Sequence, residues 1–400
     1  MGYGLVTSVR STNTGPPKKL LPKSANGGTD LRVCVTGATG FLGGHVSRLL
    51  AERGDEVRVT YRRDPRRLEG LVALGVEPVK ADILDRGAMR RAVRRCELVF
   101  HVAGFVASNP VARVWEVNAL APRVVVEAAA AEDAARVVVT SSVSAIGPVP
   151  AGEVGTEENP YRGGGLGLTY VDSKHEGEVE ALAAGVRKGI EVVAVNPAYV
   201  LGVPIDRSQP GETSTRMIGN YLRGRLPGVV DGQANIVDVR DVAAGHLKAA
   251  ERGRPGERYV LGGHDIGWVE LLERVGELAG VHHPLAILPP ELGALARGAE
   301  ALRIPLVMSA EGLTLMAQNW RYSSRKARRE LGYRARPLDT TLCETIDWCR
   351  GLIDAGALGA GHRSTLSVAA AGMRLADGLG LLAGVPVLER YAGRRLVARP

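Results

Sequence analysis

Tyr170 and Lys174 are a pair of residues whose types and spacing suit catalysis. They lie four apart in Tyr170-Val171-Asp172-Ser173-Lys174, so a helix would place both on one face. A free tyrosine has a pKa of about 10 and exchanges protons poorly at neutral pH. A lysine cation one turn away favours the phenolate and lowers that pKa, so the pair suits acid–base chemistry.

A substrate oxygen would also need a hydroxyl group to hold it. Thr140-Ser141-Ser142 ends an apolar run, Val137–Thr140, that is typical of a buried strand. Sheets built from alternating strands and helices bind ligands at the carboxyl ends of their strands. We therefore expect these serines beside the tyrosine–lysine pair.

A glycine-rich turn lies near the start of the patterned sequence. It reads Thr36-Gly37-Ala38-Thr39-Gly40-Phe41-Leu42-Gly43, follows a predicted strand and opens a helix. The first glycine allows a tight turn, the second lets a pyrophosphate approach the backbone, and the third permits close helix–strand packing. The helix N-terminus adds N–H groups and partial positive charge. We interpret the turn as a dinucleotide-binding loop; a glycine turn without a ligand is the alternative.

The end of the second predicted strand bears on the choice of nicotinamide cofactor. NAD enzymes usually carry an acidic residue about 20 positions on, bonded to the ribose 2′-hydroxyl. Here the stretch is Val59-Thr60-Tyr61-Arg62-Arg63, without a carboxylate. The two guanidinium groups suit a 2′-phosphate, so NADP(H) is preferred. NAD(H) is the alternative, because two arginines that are merely exposed to solvent would give the same sequence pattern. An oxidised nicotinamide ring would further lower the tyrosine pKa.

The elements that must position these residues alternate between strands and helices. Apolar runs predict the strands, and the stretches with helical spacing between them predict the helices. The predicted strands are Leu31–Val35, Val57–Tyr61, Val76–Val79, Leu98–Val102, Val137–Thr140 and Ile190–Val195, and the predicted helices include Phe41–Arg53 and Val111–Ala131. Repeated β-α-β units at this spacing predict a Rossmann-type, doubly wound parallel α/β sheet.

The pattern loosens after Pro197. Strands are predicted at Asn235–Val239 and Arg258–Leu261, and helices at Val242–Glu251 and Trp268–Ala279. We interpret these elements as a smaller C-terminal substrate-binding lobe.

Three segments are predicted along the chain. Residues 1–30 lack apolar periodicity and the apolar core of a secretory signal, so we expect a flexible arm. Residues 31–350 form the enzyme unit, with dinucleotide binding mainly in 31–197 and the substrate lobe mainly in 198–350. Residues 351–400 are rich in Gly and Ala and are predicted to be an appendage. No uninterrupted run of about 20 apolar residues occurs, so no transmembrane helix is predicted.

The amino-acid composition excludes several classes of protein and of binding partner. The 400 residues are 45% hydrophobic and 24% charged, which excludes a mostly disordered chain and a multi-span membrane protein. The net charge of +8 lies mostly in the two terminal segments, and aromatic residues make up 4%, so no nucleic acid is expected. The four cysteines form no C-x-x-C pair, so no metal site is predicted and a reducing cytoplasm is favoured.

The motifs follow one another in an order that is found in a known family. The glycine-rich turn precedes the serines at a strand end, the Y-x-x-x-K helix and a strand that ends in Asn196-Pro197. Further matches are Ala81-Asp82-Ile83-Leu84-Asp85 and His101-Val102-Ala103-Gly104. Over residues 31–350 the chain resembles the extended short-chain dehydrogenase/reductase family of the NAD-dependent epimerase/dehydratase superfamily. It is most similar to the branch of dihydroflavonol reductases and 3β-hydroxysteroid dehydrogenases.

The resemblance implies a catalytic trio of Ser142, Tyr170 and Lys174. Ser142 is preferred to Ser141 by its place in the T-S-S run, with one residue of register left open. Asn118 either supports a proton relay or caps a neighbouring backbone. His101, in contrast, is interpreted as a packed core residue.

The resemblance also implies which residues contact the cofactor. It places Asp82 and Ile83 beside the adenine and Ala103 beside the pyrophosphate. Lys174 would also hold the nicotinamide ribose, and Pro197 would border the nicotinamide. The predicted cofactor contacts are Gly37, Thr39, Gly40, Phe41, Leu42, Gly43, Arg62, Arg63, Asp82, Ile83, Ala103, Lys174 and Pro197.

Three functions fit these residues. In the first, NADPH delivers hydride, Tyr170 gives the proton and Ser142 polarises the carbonyl of a small-molecule substrate. The second is an NAD-dependent nucleotide-sugar epimerase or dehydratase. Enzymes of that branch generally carry an arginine just before the strand corresponding to Ile236–Val239, where this chain has Ala234 and Asn235, so the first function is preferred. The third is a non-catalytic NADP-binding sensor, but such relatives lack the tyrosine–lysine pair.

Two stretches are predicted to line the substrate pocket. Pro148–Leu168 and Pro204–Gly232 hold few aromatic residues and no concentrated charge, which suits a mid-sized, largely apolar carbonyl compound. Residues 235–263 and 320–350 are also similar to hopanoid-associated sugar epimerases, which keeps the second function open. A homodimer stays open too, as does membrane contact through residues 351–400, although a helix folded back on the enzyme or a loose tail is preferred there.

Overall fold

The structure is a computed structural model, and it describes residues 31–208, 213–289, 291, 310–358 and 365–398. The predicted N-terminal arm lies outside the described residues. A seven-stranded sheet with helices on both faces forms one lobe, and a smaller lobe contains two three-stranded sheets.

Seven parallel strands form the main sheet. They are β1 (Arg32–Thr36), β2 (Glu56–Tyr61), β3 (Glu77–Lys80), β4 (Leu98–His101), β5 (Arg136–Thr140), β6 (Glu191–Pro197) and β10 (Arg258–Leu261). Their order is β10-β6-β5-β4-β1-β2-β3, and all neighbours are parallel. The strand order reverses between β1 and β4, where such sheets bind ligands at their carboxyl ends. The predicted doubly wound fold is confirmed.

The strands of the main sheet are buried on both faces, which explains their continuous apolar runs. In β1, Val33 and Val35 pack in one hydrophobic cluster with Val46 and Leu50 of the following helix. Cys34 lies between them in the chain and packs in a second cluster on the other face. Burial raises the pKa of the Cys34 thiol, so this cysteine acts as a small apolar residue.

Helices cover both faces of this sheet. They are α1 (Phe41–Arg53), α2 (Glu69–Val72), α3 (Arg86–Val93), α4 (Val111–Trp115), α5 (Ala121–Ala131), α6 (Thr169–Lys188) and α8 (Val239–Arg252). Helix α1 ends at Gly54 and α6 at Gly189, both in the left-handed conformation that ends helices. The helix predicted over Val111–Ala131 contains one π-helical turn, Glu116–Leu120.

The remaining elements build mainly the smaller lobe. Its strands are β7 (Tyr199–Leu201), β8 (Gly228–Val230), β9 (Gln233–Asp238), β11 (His264–Gly267), β12 (Leu285–Leu288) and β13 (Val397–Ala398). They form two sheets, ordered β11-β9-β7 and β13-β12-β8. The remaining helices are α7 (Thr213–Leu222), α9 (Trp268–Ala279), α10 (Ala310–Met316), α11 (Arg325–Leu331), α12 (Leu338–Asp354), α13 (Thr365–Gly378) and α14 (Val385–Ala392).

The prediction that Arg258–Leu261 belongs to the smaller lobe is wrong. This strand, β10, pairs in parallel with β6, with Val260 opposite Asn196. The preceding helix, α8, packs on α1, so the chain returns to the main sheet after β9. An apolar run of four residues does not reveal which of two sheets it joins, because both bury such side chains.

The C-terminal segment is joined to the smaller lobe at both ends. Helix α12 runs to Asp354, across the predicted boundary at residue 351. Strand β13 pairs antiparallel with β12, with the buried Ala398 opposite Leu285. No single helix among the described residues is long and apolar enough to cross a membrane. Two helices, Ser367–Gly378 and Leu381–Ala392, reach the required length and apolar composition only when they are taken together, and they are bent by 81° relative to each other.

Candidate active site

The glycine-rich turn between β1 and α1 leaves no room for side chains. Gly37 has a φ of +78°, and a Cβ there would lie 2.6 Å from the backbone nitrogen of Ala103. A Cβ on Gly43 would lie 2.2 Å from the Gly37 carbonyl oxygen. The loop, the start of α1 and the end of β4 thus pack backbone to backbone. These are the tight turn and the close helix–strand packing that the first and third glycines of a dinucleotide-binding loop provide.

The N-terminus of α1 has hydrogen-bond donors to offer. Gly40 is the N-cap residue, and no side chain caps the helix. The Gly40 N–H donates to the Gly37 carbonyl at 3.0 Å, and the Gly44 N–H donates to the Gly40 carbonyl at 3.1 Å. The intervening N–H groups, including those of Phe41 and Leu42, have no partner within the helix. Together with the half-buried Thr39 just before them, they fit a phosphate group.

Arg62 and Arg63 follow directly after the carboxyl end of β2, and both are exposed. The nearest carboxylate in the chain, Asp64, is already paired with Arg66 at 2.9 Å and accepts the Arg66 backbone N–H at 3.0 Å. In the part of the chain that the structure describes, neither Arg62 nor Arg63 forms an ion pair. Their guanidinium groups therefore remain available to an anion at this edge.

Asp82 and Ile83 lie beside these arginines, because they follow β3, the neighbour of β2. Tyr61 pairs with Lys80 at the last register position, and the Ala81 N–H donates to the Tyr61 carbonyl at 3.0 Å. The Asp82 carboxylate accepts the Leu84 N–H at 3.0 Å, and both Asp82 and Ile83 are half-buried. The ends of β2 and β3 thus bring together the residues predicted near the adenosine.

The predicted catalytic residues meet at the same edge of the sheet. Tyr170 lies in the first turn of α6, and its hydroxyl lies beside Ser142, which follows β5. Lys174 lies one turn further along and is buried. Its Nζ donates to the Thr140 carbonyl at 2.9 Å. Pro197, predicted at the nicotinamide, is the buried last residue of β6, the next strand.

The two neighbouring serines face different surroundings. The Ser141 N–H donates to the Val195 carbonyl at 2.8 Å, and its buried hydroxyl has no hydrogen-bond partner among the described residues. The Ser142 hydroxyl accepts the Ser144 N–H at 3.1 Å, donates to the Ser144 hydroxyl at 3.1 Å and lies beside Tyr170. The geometry favours Ser142, not Ser141, as the hydroxyl of the site.

The pKa values of Tyr170 and Lys174, without a bound cofactor, differ from the expectation that the lysine lowers the tyrosine pKa. Burial raises the pKa of Tyr170 to about 12, and the hydrogen bond to Ser142 acts in the opposite direction. Burial lowers the pKa of Lys174 to about 8, opposed by the charge of Glu178. The predicted lowering of the Tyr170 pKa by Lys174 is therefore absent among the protein's own groups. The physical reason is that burial dominates the pKa of Tyr170, while the Lys174 ammonium donates to the Thr140 carbonyl.

Glu178 is a site residue that the sequence analysis missed. It lies four residues after Lys174, on the same helical face, and is 4% exposed. Its carboxylate accepts the Asn196 amide at 2.5 Å and the Arg258 guanidinium at 3.0 Å. The same Asn196 amide donates to the Ser142 carbonyl at 2.9 Å. One network thus ties the Ser142 backbone and helix α6 to β6 and β10. The available signal was the i, i+4 spacing of Tyr170, Lys174 and Glu178.

Asn118 holds the loop after β4 in place. Its side chain accepts the Phe105 N–H at 2.8 Å and donates to the Phe105 carbonyl at 2.9 Å and to Ser173 at 3.2 Å. It lies in the π-helical turn, whose backbone approaches α6 closely. A Cβ on Gly177 would lie 1.9 Å from the Asn118 carbonyl oxygen. The observed contacts of the Asn118 side chain are those of a residue that caps neighbouring backbone.

His101 is buried in the sheet, as expected for a packed core residue. Its Nδ1 shares a hydrogen bond of 2.9 Å with the Thr36 hydroxyl. Burial, with Lys174 nearby, lowers the pKa of His101 to about 3, so the ring is neutral. The described residues contain no group of three or more His, Cys, Asp or Glu side chains that could hold a metal ion.

The loop 148–168, which is predicted to line the substrate pocket, contacts residues 319–322 at one end and helix α6 at the other. The Val149 N–H donates to the Asn319 carbonyl at 3.0 Å, and Gly155 forms a bridge with Tyr322. At its other end the Tyr161 hydroxyl bonds to Asp172. The second predicted stretch, 204–232, is described except for residues 209–212.

Comparison with known proteins identifies the class that this fold and site define. A sequence model of the NAD dependent epimerase/dehydratase family matches residues 33–262, which is more than half of the chain. The chain belongs to this family. The predicted family resemblance is confirmed, and the glycine loop is that of an NAD(P)-binding enzyme.

Individual relatives cover most of the enzyme unit. A Synechocystis sp. protein that carries the name dihydroflavonol 4-reductase is 33% identical over 78% of this chain and 93% of its own length. Sterol demethylase protein B of Methylococcus capsulatus is 32% identical over 79% and 97%. A solved nucleoside-diphosphate-sugar epimerase from Pseudomonas aeruginosa is 30% identical, with a TM-score of 0.66 over 82% and 99%. The chain is thus an NAD(P)-dependent enzyme that acts on hydroxyl or carbonyl groups.

Proposed function

We propose that the protein is an NADP(H)-dependent oxidoreductase that transfers hydride between the nicotinamide and a carbonyl or secondary alcohol of a mid-sized, largely apolar substrate. The observation that carries this proposal is the placement of the Tyr170 hydroxyl beside Ser142, one helical turn from Lys174. It lies at the sheet edge that holds the glycine loop. When bound, the nicotinamide supplies or accepts the hydride, and the protein's side chains supply the proton.

Ser142 and Tyr170 act on one substrate oxygen. Because their hydroxyls lie side by side, a substrate oxygen that enters between them can accept a hydrogen bond from both. In the reducing direction Tyr170 donates its proton to that oxygen, and its raised pKa keeps it protonated at neutral pH. The Lys174 cation, held by the Thr140 carbonyl, stabilises the phenolate that remains.

The exposed guanidinium groups at the end of β2 support NADP(H) over NAD(H). Arg62 and Arg63 have no ion-pair partner among the described residues, and Asp64 is committed to Arg66. A free carboxylate that would bond a ribose 2′-hydroxyl is therefore absent from this stretch, while two cations that suit a 2′-phosphate are present.

The contacts of Asn235 and the names of the relatives support an apolar substrate. Asn235 lies where the sugar-nucleotide enzymes carry an arginine for the diphosphate. Here its amide donates to Asp265 at 2.7 Å and its oxygen accepts the Gly263 N–H at 2.7 Å. Both ends of the Asn235 side-chain amide are therefore engaged in hydrogen bonds within the protein rather than offered to a ligand. Two relatives are named for a dihydroflavonol and for sterols, and we extend such compact, largely apolar ring systems to this chain.

A substrate panel with matched variants tests the proposal. Steroid, flavonoid and aldehyde carbonyls are offered with NADPH, and loss of NADPH absorbance is followed. On an accepted substrate, Tyr170→Phe and Ser142→Ala should each lower kcat/KM by about 10²–10⁴. Ser141→Ala is the matched control and should keep activity, because the Ser141 hydroxyl has no partner.

Two outcomes would contradict the proposal. Full turnover by Tyr170→Phe would remove its acid–base role. Tightly bound NAD that co-purifies with the protein, with no NADPH consumed on any ketone, would favour the epimerase reaction instead. The 30% identity to the solved Pseudomonas aeruginosa epimerase is the observation that keeps this second function under test.

A further inference from the structure

The C-terminal helices carry a set of large apolar side chains that face away from the protein. Seven of them are between 52% and 88% exposed. We call this set the C-terminal apolar face; its members are Val368, Leu375, Leu379, Leu381, Val387, Leu388 and Tyr391. Scattered single apolar residues are normal on a protein surface, but a contiguous set marks a contact surface.

The spacing shows that the face is a helical stripe. Val368, Leu375 and Leu379 are separated by seven and four residues, which places them on one side of α13 and its end. In α14, Val387 and Tyr391 are four apart. The opposite side of α13 packs on the protein, where Ala370 is 2% exposed. Helix α13 thus has an inner side and an apolar outer side.

The segment is fastened to the smaller lobe, so the face is held outward. Strand β13 pairs with β12, and Arg395 forms an ion pair with Glu273 at 2.6 Å. The Glu389 carboxylate accepts the N–H groups of Leu396 and Val397 at 2.8 and 3.1 Å. These contacts use the polar groups of the segment and leave its apolar face without a partner among the described residues.

The charges around the face are mainly positive. Residues 365–398 contain four arginines and two acidic residues. Arg390 and Arg394 are exposed, and the described residues include no ion-pair partner for either. Glu389, in contrast, is occupied by backbone N–H groups. An apolar stripe with cations at its rim complements a lipid surface with anionic headgroups.

The shape of the segment suits the interface of a bilayer rather than its interior. The two helices meet at an angle of 81°, and neither alone is long enough to span. The bend at Gly378–Leu381 is exposed throughout and carries Leu379 and Leu381. Tyr391, at the far end of α14, has an apolar ring and a polar hydroxyl, which suits the headgroup region. Such a bent pair can lie along a surface with its apolar side inserted.

We propose that the C-terminal apolar face binds the surface of an anionic lipid bilayer. A second copy of the chain fits less well, because a two-fold contact through this face would bring the same arginines towards one another. The proposal uses none of the proposed catalytic residues and does not depend on the reaction.

Vesicle sedimentation with the full chain tests the proposal. The probes are phosphatidylcholine vesicles with and without phosphatidylglycerol. We expect the wild type to sediment with the anionic vesicles and to release them as salt is raised. The triple variant Leu375→Ser/Leu379→Ser/Leu381→Ser should lose binding by about tenfold or more. Arg390→Gln/Arg394→Gln should weaken binding to the anionic vesicles only.

A matched variant controls for loss of exposed apolar residues in general. Val72, Leu74 and Val186 are 45%, 46% and 70% exposed on the main lobe. Their triple change to serine should leave vesicle binding unchanged, and thermal unfolding checks that each variant is folded. No sedimentation of the wild type, or equal loss in this control, would overturn the proposal. A dimer that the Leu375→Ser/Leu379→Ser/Leu381→Ser variant dissociates, without vesicle binding, would assign the face to a second copy.

Discussion

The charge of Lys174 depends on two opposing features of its surroundings. Burial lowers its pKa to about 8, and the Glu178 carboxylate is the group that opposes this change. Glu178 is itself fixed by Asn196 and Arg258, so its position does not depend on the substrate. We infer that Glu178 is a positioning residue that keeps Lys174 charged near neutral pH.

Glu178→Gln should move the pH profile of the enzyme. Without the carboxylate charge the pKa of Lys174 falls further below about 8, so the ammonium loses its proton at lower pH. The alkaline limb of kcat/KM for carbonyl reduction should therefore shift by about one unit to lower pH. Glu176→Gln, an exposed position in the same helix, is the control and should leave the profile in place. An equal loss of activity at every pH would mean that Glu178 serves packing alone.

Arg62 and Arg63 should decide between the two cofactors. Replacing both with glutamine removes two cations from the end of β2 without removing a protein contact. The Kd for NADPH should rise about tenfold or more, while the Kd for NADH stays nearly constant, as measured by fluorescence titration. Arg94→Gln, at the exposed C-terminal end of α3, is the control. Equal weakening of both cofactors would refute the role in 2′-phosphate binding.

At the scale of elements, the contact between α6 and the π-helical turn holds the catalytic helix close to the sheet edge. Gly177 is the residue that allows this contact, since its Cα faces the Asn118 carbonyl oxygen. The turn supplies the Asn118 side chain to Phe105 and Ser173, and α6 carries Tyr170 and Lys174. The two elements therefore position the proposed catalytic side chains together.

Gly177→Ala should destabilise the protein, because its Cβ would lie 1.9 Å from a backbone oxygen. We expect the free energy of unfolding in denaturant to fall by about 1–3 kcal/mol or more. Gly351→Ala is the matched control: it lies in helix α12 with nothing within 4 Å of its Cβ. It should be neutral or stabilising by about 0.5–1 kcal/mol. Equal stability of the two variants would show that α6 moves freely away from the turn.

At the scale of the whole molecule, the last strand closes the smaller lobe without touching the cofactor loop. The Ile287 N–H donates to the Leu396 carbonyl at 2.7 Å, and Ala398 is fully buried. The glycine loop, in contrast, lies between β1 and α1 of the main sheet. Stability of the smaller lobe and cofactor binding can therefore be separated.

Ending the chain after Gly393 should separate them. Removal of β13 should lower the free energy of unfolding by about 2–3 kcal/mol, since two to three hydrogen bonds and a buried contact are lost. Affinity for NADPH should stay unchanged in the same preparation. Denaturant unfolding and cofactor titration measure the two effects. A parallel loss of NADPH binding would show instead that the lobes fold as one unit.

Much of the site could be predicted from the sequence because its signals are local. Tyr170 and Lys174 are four residues apart on a helix, and the glycine turn needs only its own strand and helix. Both patterns fix geometry within one or two turns of the chain. The strand ends that carry Ser142 and Arg62 followed from apolar runs in alternating β-α-β order.

The sequence alone determined the fold class, the dinucleotide loop and the pairing of Tyr170 with Lys174. Only the tertiary structure showed that Ser142 lies beside Tyr170, placed β10 beside β6 and brought Arg258 to Glu178, 80 residues apart. It also turned the apolar side of the C-terminal helices outward. The reason is physical: periodicity and turn chemistry act between near neighbours, whereas burial, pKa and the choice of sheet depend on contacts between distant parts of the chain.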